Sequence, residues 1–180
     1  LPRALSRIKY FAYGEKMLSP QIHSIIPSAQ PLGVVKIIGY KLYFHHRCIT
    51  DPSGKCNIVP VKDNTCEVYG VLYEIPTEDR YLLDESEGLG DRVQEITLTV
   101  FPVDPNKETK ESAFTYVAQK DTVFEDLVPF TWYKEMVIIG AREHHIPHHY
   151  IHHLEQIASA QDPNYLRANK QKRYLDSLSF

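Results

Sequence analysis

Residues 67–90 read EVYGVLYEIPTEDRYLLDESEGLG, a strand, a turn, a helix and a stop in one continuous run. Glu67 to Ile75 is dense in β-branched and aromatic residues, which suit a pleated, packed strand. Pro76 closes it. Thr77 then stands where a helix N-cap is expected, and Glu78 and Asp79 put acid in the first turn, where the helix dipole favours it. Gly88 and Gly90 end the helix, because glycine takes the left-handed cap conformation at little cost. Leu83 and Glu87 lie four residues apart and therefore share a face. With Leu83 toward the core, Glu87 points inward at the last turn. A carboxylate there loses water and meets the negative end of the dipole. Both effects raise its pKa, and a glutamate so placed can carry protons near neutral pH. The competing reading is that Glu87 belongs to a solvated DESE acid run, as charge runs usually do.

Outward from this stretch the chain supplies more strands. Ile8 to Tyr13, IKYFAY, is a strand that runs into Gly14, and oriented backbone amides at such a turn can hold an anion. Ser19-Pro20 is expected to open a short helix through Ile25. Gly33 to Tyr43 reads as one strand with a bulge at Gly39. Residues 45–66 read as a polar loop with a short extended piece from Cys56 to Val61. Gln94 to Val103 and Ser112 to Ala118 are further strands. Thr131 is expected to cap an amphipathic helix that ends before Ile146-Pro147. Pro147 starts another, to about Ala160, which buries Tyr150, Ile151, Leu154 and Ile157. The segment from Asn164 reads as a basic and then mildly apolar tail, with Lys170 to Arg173 in solvent. Strands in front and helices mostly behind predict an α+β fold, a small, largely antiparallel barrel or sheet flanked by helices. No linker divides residues 1–180, so a single domain is expected, with its core over about 8–165.

Composition narrows the function. With 180 residues, 24% of them charged, and a net charge of -3, nothing marks a nucleic-acid binder. No apolar run approaches membrane-spanning length, and Leu1-Pro2-Arg3 lacks the apolar core of a signal peptide. The three cysteines, Cys48, Cys56 and Cys66, are odd in number and match no zinc spacing, which points to a reducing, cytoplasmic setting.

Four motifs in order resemble the γ-glutamylcyclotransferase family. They are Tyr10-Phe11-Ala12-Tyr13-Gly14, Val68-Tyr69-Gly70-Val71-Leu72-Tyr73, Leu83-Asp84-Glu85-Ser86-Glu87-Gly88, and Trp132-Tyr133-Lys134 followed by Gly140-Ala141-Arg142-Glu143 and Ile146-Pro147. The resemblance covers about residues 8–165. It implies a compact α+β barrel-like fold with an AIG2-like core, and an enzyme that releases 5-oxoproline from a γ-glutamyl amide, as in glutathione metabolism. It implies Glu87 as general base and acid. It also implies a glutamyl pocket lined by Tyr10, Phe11, Ala12, Tyr13, Gly14 and Glu15, with Tyr133 reaching it and Tyr116 beside it. It calls for no metal and no cofactor, a small-molecule substrate as partner, no nucleic acid or membrane, and it is compatible with a homodimer.

The chain also departs from the family. Where the family loop reads YGSN, this one reads Tyr13-Gly14-Glu15-Lys16. An inward Glu15 repels a glutamyl carboxylate, whereas an inward Lys16 replaces lost hydrogen bonds by a full charge. After the EG turn the family carries Gly-Tyr, and this chain has Asp91-Arg92-Val93. A second reading therefore keeps the fold and loses the reaction, leaving a protein that binds a small ligand or a partner. A third rests on the histidines between His144 and His153. His148 and His152, and His149 and His153, have metal-ligand spacing on a helix, set against a solvated helix face.

Overall fold

The computed structural model describes residues 6–178. Five strands close into a barrel: β1 (Arg7–Ala12), β5 (Glu67–Pro76), β2 (Gln30–Ile38), β6 (Val93–Pro102) and β7 (Glu111–Ala118), in that order around the wall. All neighbours are antiparallel except β1 and β7, which meet in parallel at Tyr10 and Phe114 and close the ring. Among the described residues, closure leaves the barrel itself without a free edge strand. The remaining strands, β3 (Tyr40–Arg47) and β4 (Gly54–Pro60), form a separate antiparallel hairpin. The helices are α1 (Ser19–His23), α2 (Arg80–Glu87), α3 (Thr131–Glu143), α4 (His148–Glu155) and α5 (Tyr165–Asp176).

Strand β5 is central because it can be buried on both faces. Tyr73 packs edge-on against His144, and Tyr69 against His149 and Tyr150, under α3 and α4. Val68 and Leu72 point the other way and are equally buried. This explains the near-continuous apolar run that replaces alternation. Next to it, Phe11, Ala12, Val71, Ile37 and Leu83 are buried in one continuous core.

Several local expectations need correction. The stretch 33–43 is two strands in two sheets. The chain leaves the barrel at Gly39, at φ +79°, and the break in pairing lies between Pro31 and Gly33. The extended piece read at Cys56 to Val61 is β4, which begins two residues earlier, and what the reading as a polar loop missed is its pairing with β3, from Tyr40–Pro60 to Arg47–Gly54. Hairpin pairing is a non-local contact that short polar strands do not announce. Thr77 does not cap α2. A single 3₁₀ turn, Thr77–Asp79, comes first, and the Thr77 hydroxyl donates to Ser6 Oγ at 3.1 Å. Thr131 is the first residue of α3 rather than its cap, and helix α4 stops at Glu155. Gly88 ends α2 in the left-handed conformation at φ 76°, as its sequence context requires.

The segment read as a tail is the helix α5. Its Leu175 packs with Leu18 and Met136, and Gln21 donates to Tyr174 Oη at 3.1 Å. Asp162 anchors its start. That carboxylate accepts from Trp132 Nε1 at 2.9 Å, from Arg167 Nε at 2.6 Å and Nη2 at 2.7 Å, and from the Asn164 amide at 2.9 Å. The Arg167 bond holds its pKa down at about 2, against burial and with help from Trp132. A carboxylate depressed below its unfolded value of 3.8 stabilises the fold above that value and loses the contribution as pH falls toward 2. The shift corresponds to about 2 kcal/mol. Replacing Asp162 by Ala should therefore lower stability by about 2–4 kcal/mol at pH 7, with four N–H donors stranded, and by much less near pH 2. Urea melts at the two pH values check this.

Candidate active site

Three segments meet at the mouth of the barrel. The end of β1 runs through Gly14 into a 3₁₀ turn, Glu15–Met17. The last turn of α2 brings Ser86 and Glu87. Tyr133, from the first turn of α3, closes the third side. Between them lies a cavity of about 150 Å³. Drug-sized ligand sites usually have several hundred Å³, so this space suits a small group.

The β1 turn is held tightly from behind. A Cβ on Gly140 of α3 would come within 2.7 Å of the Leu18 amide nitrogen, so only glycine lets the helix approach the backbone this closely. Glu143 accepts from the Ser19 amide at 2.8 Å, and Tyr73 Oη donates to the Met17 carbonyl at 2.8 Å. The segment carrying Glu15 and Lys16 is thus fixed at three points on rigid elements.

Glu87 does face the cavity, on the same side of α2 as the buried Leu83. It is not the lone desolvated carboxylate expected from its position. The Lys16 ammonium, 8% exposed, forms an ion pair and hydrogen bond with Glu87 Oε1. Lys16 also lies 3.6 Å from Glu15 Oε1. Burial disfavours its charge, but Glu87 and Glu15 outweigh burial and raise its pKa, so the ammonium persists. Both side chains that replace the family's Ser-Asn therefore point inward, and each compensates the other. Burial pushes the Glu15 carboxyl up. Lys16 and a hydrogen bond from Tyr133 Oη at 2.7 Å outweigh it, and the net shift is downward. Tyr133 Oη in turn accepts from the Cys56 amide at 3.1 Å.

The other tyrosines are also fixed. Tyr13 Oη donates to the Tyr116 carbonyl at 2.5 Å, and Tyr116 Oη to Asp84 Oδ1 at 2.5 Å. The Tyr10 and Tyr116 rings lie 5.9 Å apart. Burial, with Glu87 next, raises the phenol pKa values of Tyr10 and Tyr13, so these groups stay protonated. Tyr10, Tyr13, Gly14, Glu15, Tyr116 and Tyr133 all line the cavity together with Glu87. Phe11 and Ala12 do not. They are fully buried in the core and contribute backbone, with the Phe11 carbonyl accepting from Thr115 Oγ1 at 2.7 Å.

Sequence reasoning left several lining residues unassigned. His46, Cys48, Lys55 and Cys56 come from the β3–β4 hairpin, and Arg92 from the loop after α2. Lys55 pairs with Asp51 at 3.2 Å and sits 4.5 Å over the Tyr133 ring. Burial, then Arg92, lowers the His46 pKa and favours the neutral ring. Burial, then Glu15, raises that of Cys56, which keeps a thiol rather than a thiolate. The sequence signals for this wall were the departure at Asp91-Arg92 and the His45-His46 pair near Cys48, which reads ordinarily as a loop after a strand. The histidines of α4 lie elsewhere. His148, His149, His152 and His153 are exposed, and among the described residues no group of three or more His, Cys, Asp or Glu is placed to hold a metal. Among those residues, too, no helix is long and apolar enough to cross a membrane.

Comparison with known proteins bears on the fold. Residues 67–154 match the model of the AIG2-like family. A γ-glutamylcyclotransferase of Bos taurus is 28% identical over 156 residues, covering 82% of this chain and 77% of that protein. The Homo sapiens enzyme of the same name is 27% identical over 150 residues, with the same coverage. A solved γ-glutamyl cyclotransferase structure superposes with a TM-score of 0.80 at 23% identity, over 93% of this chain and 99% of its own, which speaks for the fold. In its motifs, its closed mixed barrel and these relatives the chain is similar to the γ-glutamylcyclotransferases and, over residues 67–154, to the AIG2-like family.

Proposed function

We propose that this protein releases 5-oxoproline from a small γ-glutamyl amide, with Glu87 as the proton carrier. The observation that carries the reading is the Glu87 carboxylate in the wall of a small cavity, facing the β1 turn and three fixed tyrosines. A γ-glutamyl amide contains its own nucleophile. Glu87 takes a proton from the α-ammonium, and the freed amine attacks the γ-carbonyl carbon. The amide C–N bond then breaks as Glu87 returns the proton to the leaving nitrogen, and the ring nitrogen gives its second surplus proton, by way of Glu87, to the departing amine, which leaves as an ammonium. The products are 5-oxoproline and an amine. No water is consumed.

The protein's part is to hold the glutamyl chain curled and to relay protons from the attacking to the leaving nitrogen. The tyrosines that line the cavity fix its width, and backbone amides of the β1 turn are candidates for the α-carboxylate or the developing oxyanion. The Lys16 ammonium on Glu87 occupies the place a substrate ammonium needs, so a productive complex requires Lys16 to move toward Glu15, which already lies 3.6 Å away. That same ion pair is the one observation favouring a binding-only descendant, in which Glu87 is permanently engaged.

A 5-oxoproline release assay over γ-glutamyl amino acids, γ-glutamyl amines and glutathione separates the two. Release from any of them supports the proposal. Folded protein that binds γ-glutamyl compounds and releases nothing supports the binding-only reading.

A further inference from the structure

Three cations line the cavity, and two are committed. Lys16 is held by Glu87 and Glu15, Lys55 by Asp51, and Arg92 by no carboxylate among the described residues. Arg92 is nevertheless well placed. Its guanidinium lies across Gly88, the residue after Glu87. A Cβ built on Gly88 would stand 2.7 Å from Nε and 3.0 Å from Nη2. A side chain at 88 would displace it, so the glycine that ends α2 also makes the seat for the guanidinium. Arg92 is half-buried and belongs to the α2–β6 loop. In the β1 turn, Gly14 packs on Cys56 and Tyr133.

A substrate brings its own charges to this arrangement. The glutamyl half carries one ammonium and one carboxylate whatever leaves. A γ-glutamyl amino acid adds a second carboxylate on the leaving group, and a γ-glutamyl amine does not. The added anion needs a cation that the resting network has not used. We propose that Arg92 determines leaving-group specificity: its guanidinium receives the leaving-group carboxylate and favours γ-glutamyl amino acids over uncharged γ-glutamyl amines. This rests on the cyclotransferase reading above. Arginine suits the task because its planar fork can bind a carboxylate with two hydrogen bonds and keeps its charge at every working pH.

The test compares γ-glutamyl-alanine with γ-glutamyl-ethylamide, which differ by the leaving-group carboxylate alone. The wild type should prefer the alanine compound by roughly 10–100-fold in kcat/KM, the range of a charge-assisted hydrogen bond. Arg92→Gln should bring the ratio of the two constants close to one, chiefly through KM, and Arg92→Lys should restore part of it. A ratio unchanged by Arg92→Gln overturns the proposal and leaves the reaction standing. So does an equal loss on both compounds, which would assign Arg92 to the glutamyl carboxylate. Calorimetric binding of the same two compounds to the Glu87→Gln protein, with and without Arg92→Gln, covers the case in which nothing is turned over. An Arg92-dependent preference there keeps the proposal while the reaction falls, and its absence overturns both.

Discussion

Glu87→Gln is expected to lower 5-oxoproline release by ~10²–10⁴-fold or more while the protein stays folded. The size follows from the chemistry, since proton transfer is the only step assigned to a side chain, and a positioned acid–base group is worth about that much. The substitution keeps shape and keeps an oxygen that can accept from Lys16, but removes the basic site. Folding should survive because Lys16 is not stranded: Glu15 stands 3.6 Å from its ammonium and can take the whole pairing. We expect a cost of about 1–2 kcal/mol, the range for a weakened hydrogen bond to a charged group. Release assays beside circular-dichroism melts measure both quantities. Wild-type rates in a folded Glu87→Gln protein would remove Glu87 from the reaction.

Lys16→Met is expected to be the most damaging single change for stability at the site, by about 3 kcal/mol near neutral pH. Methionine fills similar space but leaves Glu15 and Glu87 facing one cavity without the ammonium that they share. The pH dependence has a definite sign. The Lys16 pKa is raised in the fold, so its contribution is complete below the unfolded value of 10.5 and is lost only as pH rises through the folded value. The Glu15 pKa is lowered, so its contribution is present above 4.5 and is lost as pH falls through the folded value. The gap between wild type and variant should therefore persist from about pH 5 to 10 and close in stronger acid, where the Glu15 carboxylate protonates. Denaturant melts from pH 3 to 9 test this, and a gap that does not narrow in acid would place the damage in packing instead. A γ-glutamyl compound should also raise the melting temperature of the variant more than that of the wild type, because its ammonium can replace the missing one.

The Lys16 network also shows how charge inside a site constrains its evolution. Glu15 alone would repel a glutamyl carboxylate, and Lys16 alone would have Glu87 as its one carboxylate partner and keep it engaged. The structure places both within reach of one another and of Glu87, so neither replacement of the Ser-Asn pair makes sense without the other. A double variant, Glu15→Ser with Lys16→Asn, is accordingly the milder change.

The sequence by itself determined the parts whose cause is local. A strand dense in apolar residues, an acid first turn and a glycine stop placed β5, α2 and the inward face of Glu87, because periodicity and capping act over a few residues. The four ordered motifs brought the β1 turn, Glu87 and Tyr133 into one family framework. Tertiary structure decided what depends on distant partners. It split the 33–43 run at Gly39 and paired β3 with β4, which carry His46, Cys48, Lys55 and Cys56 to the cavity from a segment with no periodic signal of its own. It turned the basic tail into a helix anchored by Asp162, since Trp132 and Arg167 are its partners only in the folded chain. It also decided the charge state of the site. Local reasoning assigned Glu87 a lone carboxylate's environment, but the field at a buried group is a sum over all neighbours, and the nearest cation came from Lys16, 71 residues earlier in the chain.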